Sequence, residues 1–137
     1  MYKKTFFHIG LLALAAAAVG VVLAGYAAIL GEHNDRAGAE AGEPDAMAAL
    51  ADRFRTGEGE PQSYKKAYDL YRLAALEGHA GAMYWLGGFY WHGWEIEKDY
   101  EKAVDWYQRA AEAGSEQSRT ALQELGLEVA GVAPDQG

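Results

Sequence analysis

Two stretches of this 137-residue chain repeat each other, and they decide the fold. Residues 46–78 read AMAALADRFRTGEGEPQSYKKAYDLYRLAALEG, and residues 82–114 read AMYWLGGFYWHGWEIEKDYEKAVDWYQRAAEAG. When the chain is aligned with itself at an offset of 36 residues, twelve of 36 positions are identical and no gap is needed. A fixed period of this length is the signature of proteins built from stacked structural units. The chain is therefore expected to contain two copies of one unit.

Each unit is predicted to form two helices. Ala67, Leu70, Tyr71 and Ala74 recur with the period of a helix, and the second unit keeps the same positions apolar. Serine and aspartate are favoured before the first turn of a helix, and glycine is favoured after the last. The expected cap and turn residues are Ser63, Asp99, Gly57, Gly93, Gly78 and Gly114.

The segment from Ser115 to Leu125 starts a third unit but ends after its first helix. We interpret this helix as the cap that closes the stack. The fold class predicted for residues 45–126 is an all-α solenoid of two and a half units and five helices.

The second unit closely resembles the Sel1-like repeat, a relative of the tetratricopeptide repeats. The resemblance covers about 80 residues, and three positions depart from the usual pattern: Glu60, Ser63 and Glu95. It implies an α/α superhelix that assembles other proteins, often at membranes or in bacterial envelopes. It implies no enzymatic activity and no cofactor, and the motif residues of the family are structural. The residues that carry it run from Ala82 to Gly93 and continue with Ile96, Asp99, Lys102, Ala103, Trp106, Tyr107, Ala110, Ala111 and Gly114.

The first 30 residues have the composition of a membrane anchor. Lys3 and Lys4 precede 22 consecutive uncharged residues from Ile9 to Leu30, and about 20 apolar residues suffice to cross a bilayer as a helix. Lysines before such a helix favour the cytoplasmic side. We therefore expect a single-pass protein of the inner membrane with its solenoid on the periplasmic or outer side. The alternative is a signal peptide cleaved after Ala24, because Val22-Leu23-Ala24 offers small residues where a signal peptidase cuts. The apolar region of a signal peptide is typically shorter than this one, at about 7–15 residues.

Small residues recur along one side of the predicted anchor at steps of three and four. Such stripes let two membrane helices approach closely, so we expect this face to pack against another membrane protein. The stripe consists of Gly10, Ala13, Ala17, Gly20, Ala24 and Ala27.

Residues 31–44 and 127–137 contain few large apolar side chains and are predicted to be a flexible acidic linker and a flexible tail. From residue 32 onward the chain has 10 basic and 20 acidic residues. That charge argues against nucleic-acid binding and is compatible with a basic soluble partner.

No catalytic, metal or cofactor site is predicted. The chain has no cysteine, and its four histidines lie in different segments with no pair at ligand spacing. No Ser-His-Asp arrangement appears in the sequence. The glycine clusters do not follow a strand pattern, as the glycines of a phosphate-binding loop do. We therefore do not expect an enzyme.

Four aromatic residues of the second unit are candidates for partner contacts. Positions that are aromatic in one copy and charged or small in the other are expected to lie outside the shared interior, and large aromatics are favoured at interfaces. The alternative is that the two units pack differently. The candidates are Trp85, Phe89, Trp91 and Trp94, which correspond to Ala49, Arg53, Arg55 and Glu58, whereas Phe54 and Tyr90 match as aromatics and are assigned to the core.

These observations predict a non-catalytic, membrane-anchored interaction module. It would serve as an accessory subunit or assembly factor of a larger integral membrane complex, with a respiratory complex as one candidate, and would contact lipid through its anchor. The alternative is a secreted or periplasmic binding module, released by signal cleavage, that acts as an envelope adaptor.

Overall fold

The computed structural model describes residues 22–23, 25–26, 30–31 and 34–127. The chain divides into two compact parts, Met1–Asn34 and Asp35–Gly137. In the N-terminal part, the described residues are helical and exposed. Among the described residues, no helix combines the length and the apolar composition that a membrane span needs. All six positions of the small-residue stripe, Gly10, Ala13, Ala17, Gly20, Ala24 and Ala27, lie outside the described residues, as does most of the predicted anchor.

The C-terminal part, Asp35–Gly137, contains a stack of antiparallel helices, each of which packs against the next. This arrangement confirms the prediction of an all-α solenoid with two repeat units and a closing helix, and residues 34–127 contain no strand. The helices are α1 (Pro44–Thr56), α2 (Tyr64–Leu76), α3 (Ala80–His92), α4 (Tyr100–Glu112) and α5 (Glu116–Glu124).

The predicted caps are in place. Ser63 and Asp99 each accept a hydrogen bond from the backbone N–H three residues later, at 3.3 and 3.0 Å. Ser115 caps α5 in the same way. Gly57 and Gly93 end α1 and α3 in the left-handed conformation, with φ of 81° and 71°, which costs glycine little.

The core consists of small residues that let helices approach and large residues that fill the space between them. Ala67, Ala74, Ala103 and Ala110 are completely buried, so neighbouring helices meet at their backbones. The largest fully buried side chains are Tyr71, Phe89, Leu86 and Leu122. Close packing of this kind is sensitive to the volume of every core residue.

The prediction of a flexible linker over residues 31–44 is wrong for residues 35–40, which form a helix. Gly42 lies in the turn that follows this helix, and its φ of 85° is similar to the 89° of Gly78 and the 102° of Gly114. These three glycines are 36 residues apart. The helical residues before Gly42 therefore occupy the place that the end of α2 or α4 holds in a complete unit, and they form the remainder of a preceding repeat.

The helical residues 35–40 pack closely on α1. Gly38 is buried, and a Cβ atom added there would lie 2.5 Å from Cβ of Ala46. Only glycine permits this approach without a shift of one helix. Two ion pairs also join the segment to the repeats, Asp35 with Arg53 and Arg36 with Glu60. Of the predicted tail, only Leu127 belongs to the described residues.

Candidate protein-interaction surface

Side chains of the first helices of successive units lie close together: Arg55 of α1 contacts Trp85 of α3, and residues of α3 and α5 line one open pocket. The α1–α3 groove is defined by Asp52, Arg55, Tyr71 and Trp85. The guanidinium carbon of Arg55 lies 3.8 Å from the centre of the Trp85 ring. Its Nη2 donates to Oδ1 of Asp52 at 2.9 Å, and its Nε donates to the hydroxyl of Tyr71 at 3.2 Å. The groove is thus filled by an arginine of the chain itself.

Burial and hydrogen bonding hold these groups in defined charge states. Burial raises the pKa of Tyr71, and the hydrogen bond to the Asp52 carboxylate raises it further. Burial opposes the charge on Arg55, but hydrogen bonds with Tyr71 and Asp52 outweigh it and raise the pKa of the guanidinium. Tyr71 therefore stays a neutral donor beside a permanently charged arginine.

The α3–α5 groove is open and has a volume of about 210 Å³. Tyr107 of α4 lies at its floor and is almost completely buried. Burial, with a smaller contribution from Tyr84, raises the pKa of Tyr107 to about 12, so its hydroxyl is neutral at physiological pH. Four of the lining residues are aromatic and one is a carboxylate: Tyr84, Trp91, His92, Tyr107, Ala121, Glu124 and Leu125.

Two glycines of α3 bring Tyr107 into this position. A Cβ atom at Gly87 would lie 2.5 Å from Cε1 of Tyr107, so the ring lies directly on the helix backbone. A Cβ atom at Gly88 would lie 3.9 Å from the Tyr107 hydroxyl and also 3.9 Å from the rings of Trp85 and Trp94. The glycine pair thus opens the surface of α3 to aromatic rings.

The assignment of Phe89 to a partner contact is wrong, because its side chain is 0% exposed. It packs against rings of α2, including Tyr68 at 5.7 Å and Tyr71 at 6.1 Å between centroids. The corresponding Arg53 faces the half-unit before α1, where it pairs with Asp35 at 3.3 Å. The same repeat position therefore meets an aromatic neighbour in one unit and a charged neighbour in the other.

The other three candidate residues are half-buried and lie in different places. Trp85 lies in the α1–α3 groove under Arg55, and Trp91 lines the α3–α5 groove. Trp94 is stacked between Tyr64 and His92, at 5.5 and 4.6 Å between ring centroids. Trp85 and Trp94 flank Gly88, whereas Trp91 stands apart from them. A contact role for these three residues stays a prediction.

Sequence reasoning missed the remaining groove residues. Tyr107 matches Tyr71 between the units, and the comparison of the two units singles out only positions at which they differ. Ala121 and Glu124 lie in the closing helix, where no aromatic residue drew attention. Alignment of the closing helix with α3 at the same offset of 36 residues pairs Ala121 with Trp85. This replacement of a large side chain by a small one is the sequence signal that could have identified the α3–α5 groove. No cluster of three potential metal ligands occurs within the part of the chain that the structure describes.

Residues 44–79 and residues 80–115 each match the Sel1 repeat. The chain belongs to the Sel1 repeat family. The two matches begin at α1 and α3, so each corresponds to one pair of helices. Sel1 repeats are protein-interaction scaffolds that are generally non-enzymatic. The chain is accordingly a repeat protein whose family implies protein partners.

Solved structures support this assignment. A Sel1 repeat protein from Oxalobacter formigenes is 34% identical, with a TM-score of 0.63, over 66% of this chain and 68% of that chain. A protective antigen of uropathogenic Escherichia coli with an SLR fold is 32% identical, with a TM-score of 0.64, over 69% of this chain and 21% of that chain.

Curated relatives share only part of their length with this chain. An uncharacterized protein of Neisseria meningitidis is 38% identical over 77 residues, which are 56% of this chain and 16% of the relative. A Sel1-like repeat-containing protein of Schizosaccharomyces pombe is 37% identical over 62 residues, which are 45% of this chain and 9% of the relative. The chain therefore spans less than a fifth of the length of either relative.

Proposed function

We propose that this Sel1 repeat protein is a membrane-anchored accessory subunit or assembly factor that holds a partner on its repeat surface. The observation that carries the proposal is the open α3–α5 groove, about 210 Å³ in volume and lined by Tyr84, Trp91 and Tyr107. Clustered aromatic side chains in a partly desolvated depression are favoured anchors for a protein partner.

The sequence supports an anchored form of the protein. The 22 uncharged residues from Ile9 to Leu30 are long enough for a membrane helix, and Lys3 and Lys4 favour a cytoplasmic N-terminus. In this arrangement the repeats are on the periplasmic or outer side of the inner membrane. The small-residue stripe would contact a helix of the partner complex.

The small size of the solenoid supports dependence on a partner. Solenoids generally need three or more units for stability, and this chain has two complete units. Residues 35–40 and α5 cover the two ends of the stack in part. Docking onto a larger complex would add buried surface that a chain of this size lacks.

A secreted or periplasmic adaptor is the second candidate. Val22-Leu23-Ala24 offers small residues where a signal peptidase cuts. Cleavage there would release the same interaction surface without its membrane segment.

The test is purification of the tagged full chain in a mild, neutral detergent, with mass spectrometry of the co-eluting proteins and of the chain's own N-terminus. We expect stoichiometric recovery with an integral membrane complex, an intact Met1, and the same complex when the partner carries the tag. A lone soluble protein that begins near Gly25 would contradict the anchored form and favour the secreted adaptor. Recovery of Met1 without any partner would contradict the accessory-subunit role.

A further inference from the structure

The two grooves are copies of each other, and only the first is filled. The groove positions correspond through the 36-residue period of the chain, and three of the four differ in chemistry. Asp52 corresponds to Gly88, Arg55 to Trp91, Tyr71 to Tyr107, and Trp85 to Ala121.

The occupied groove shows what this geometry binds. The guanidinium carbon of Arg55 lies 3.8 Å from the centre of the Trp85 ring, and the guanidinium donates to the carboxylate of Asp52 and the hydroxyl of Tyr71. The Arg55 side chain is only 23% exposed. An aromatic face, a carboxylate and a phenol hydroxyl together match the flat shape, the positive charge and the N–H donors of a guanidinium.

The second groove retains the hydroxyl, but Trp91 stands at the position of the internal arginine. Tyr107 occupies the place of Tyr71, and its hydroxyl has no hydrogen-bond partner among residues 34–127. Gly88 provides no carboxylate for that hydroxyl, whereas Asp52 accepts a bond of 2.7 Å from Tyr71. Ala121 is far smaller than Trp85, and open space remains where the first groove has an indole.

The second groove also has its own carboxylate and its own aromatic faces. Glu124 is exposed at the lining and forms no ion pair within the described part of the chain. Arg119, the base of the same helix, is already paired with Glu116 at 2.8 Å. Tyr84 and Trp91 provide the rings. A positively charged planar group is therefore the ligand that complements this lining.

We propose that the α3–α5 groove binds an arginine side chain of the partner through the three kinds of group that hold Arg55 in the first groove: an aromatic ring, a carboxylate and a phenol hydroxyl. The inference rests on the proposed interaction role and specifies its chemistry. The guanidinium contacts the rings of Tyr84 and Trp91, pairs with Glu124, and donates to the hydroxyl of Tyr107. The net charge of −8 attracts such a segment to the surface.

The probe for a direct test is N-acetyl-L-arginine methylamide, titrated into the full chain in neutral detergent and followed by NMR. We expect saturable shifts of the Ala121 and Leu125 methyl groups and of the Trp91 indole N–H, with roughly millimolar affinity for one side chain. The matching citrulline compound, which lacks the charge, is expected to cause no saturable shift. N-acetyl-L-lysine methylamide has the charge but not the planar group and is expected to bind more weakly. If either the citrulline or the lysine compound binds as tightly as the arginine compound, the assignment to arginine is overturned.

Two variants and one control locate the site. Ala121→Trp fills the open space of the groove with an indole, leaves no room for the probe, and is expected to abolish the shifts at Leu125. Glu124→Gln changes an exposed residue, preserves the fold, and is expected to weaken binding about 3- to 10-fold. Glu77→Gln removes an equally exposed carboxylate from the first unit and is expected to weaken it less than about 2-fold. Equal losses in the two glutamine variants would mean diffuse attraction and would overturn the proposed site.

The same variants separate this inference from the proposed function. If the partner complex is recovered with the wild-type chain and equally with Glu124→Gln and Ala121→Trp, the accessory role stands and the arginine site is refuted. If arginine binds as expected but no complex is recovered, the site stands and the accessory role is refuted.

Discussion

The hydroxyl of Tyr71 donates a hydrogen bond of 2.7 Å to Oδ1 of Asp52 and thereby ties α2 to α1. The same carboxylate oxygen accepts from Nη2 of Arg55 at 2.9 Å. In the second unit, glycine replaces this aspartate, and the hydroxyl of Tyr107 faces an open groove instead. The change from Asp52 to Gly88 thus removes the network, and the change from Trp85 to Ala121 leaves the surface beside Tyr107 accessible.

This difference predicts unequal effects of removing the two hydroxyl groups. Tyr71→Phe leaves Asp52 and Arg55 without a shared partner and should lower the free energy of unfolding by about 1–2 kcal/mol. Tyr107→Phe removes a hydroxyl with no partner in residues 34–127 and should change it by less than about 0.5 kcal/mol. Urea denaturation followed by circular dichroism measures both. Equal losses would show that the network does not contribute as described.

The neighbouring glycines of α3 predict opposite responses to alanine. In Gly87→Ala the new methyl group would lie 2.5 Å from the Tyr107 ring, and overpacking should cost about 1–3 kcal/mol. In Gly88→Ala the nearest atoms would lie at 3.9 Å, an ordinary contact, and alanine should stabilise the helix by up to about 1 kcal/mol. Thermal unfolding of the two variants checks the prediction. A tolerated Gly87→Ala would mean that Tyr107 does not lie on the backbone of α3.

The half-unit before α1 predicts that residues 35–40 contribute to stability. Gly38→Val introduces a branched side chain where Cβ alone would lie 2.5 Å from Ala46. It should separate the segment from α1 and increase amide hydrogen exchange at residues 35–42. Ala37→Val, at an exposed position of the same helix, is the matched control and should change exchange little. Similar exchange in the two variants would favour a linker without contacts to the repeats.

The cap of α4 predicts a dependence of stability on pH. The hydrogen bond from the backbone N–H of Lys102 lowers the pKa of Asp99 below its ordinary value of 3.8, and the Lys102 side chain lowers it further. Because the pKa is lower in the folded state, the stabilisation is present above the unfolded pKa and is lost as the pH falls through the folded value. The variant Asp99→Ser retains a cap, and its hydroxyl does not titrate. Ser63 is a cap of this kind in the first unit.

The measurement is the melting temperature of the wild-type chain and of Asp99→Ser between about pH 6 and pH 2 at constant ionic strength. The advantage of the wild type over the variant should shrink on acidification below about pH 4. A difference that stays constant over this interval would show that the Asp99 carboxylate does not contribute through its charge.

The sequence by itself determined the helices, their caps and the period of the stack. These features depend on local chemistry, because Ser63 and Asp99 cap the residues that follow them and Gly57 and Gly93 adopt left-handed turns wherever a helix ends. The same reasoning extended upstream would have found the half-unit, since Gly42 precedes Gly78 by one period. The half-unit was missed because residues 31–44 contain few large apolar side chains.

Only the tertiary structure decided which aromatic residues are accessible. Phe89 is buried because the rings of α2 surround it, whereas its counterpart Arg53 meets Asp35. The environment of a repeat position is set by the unit that precedes or follows it, and this neighbour differs at each end of a short solenoid. The opening beside Trp91 has the same origin, because Ala121 of the closing helix leaves vacant the space that Trp85 fills in the first groove.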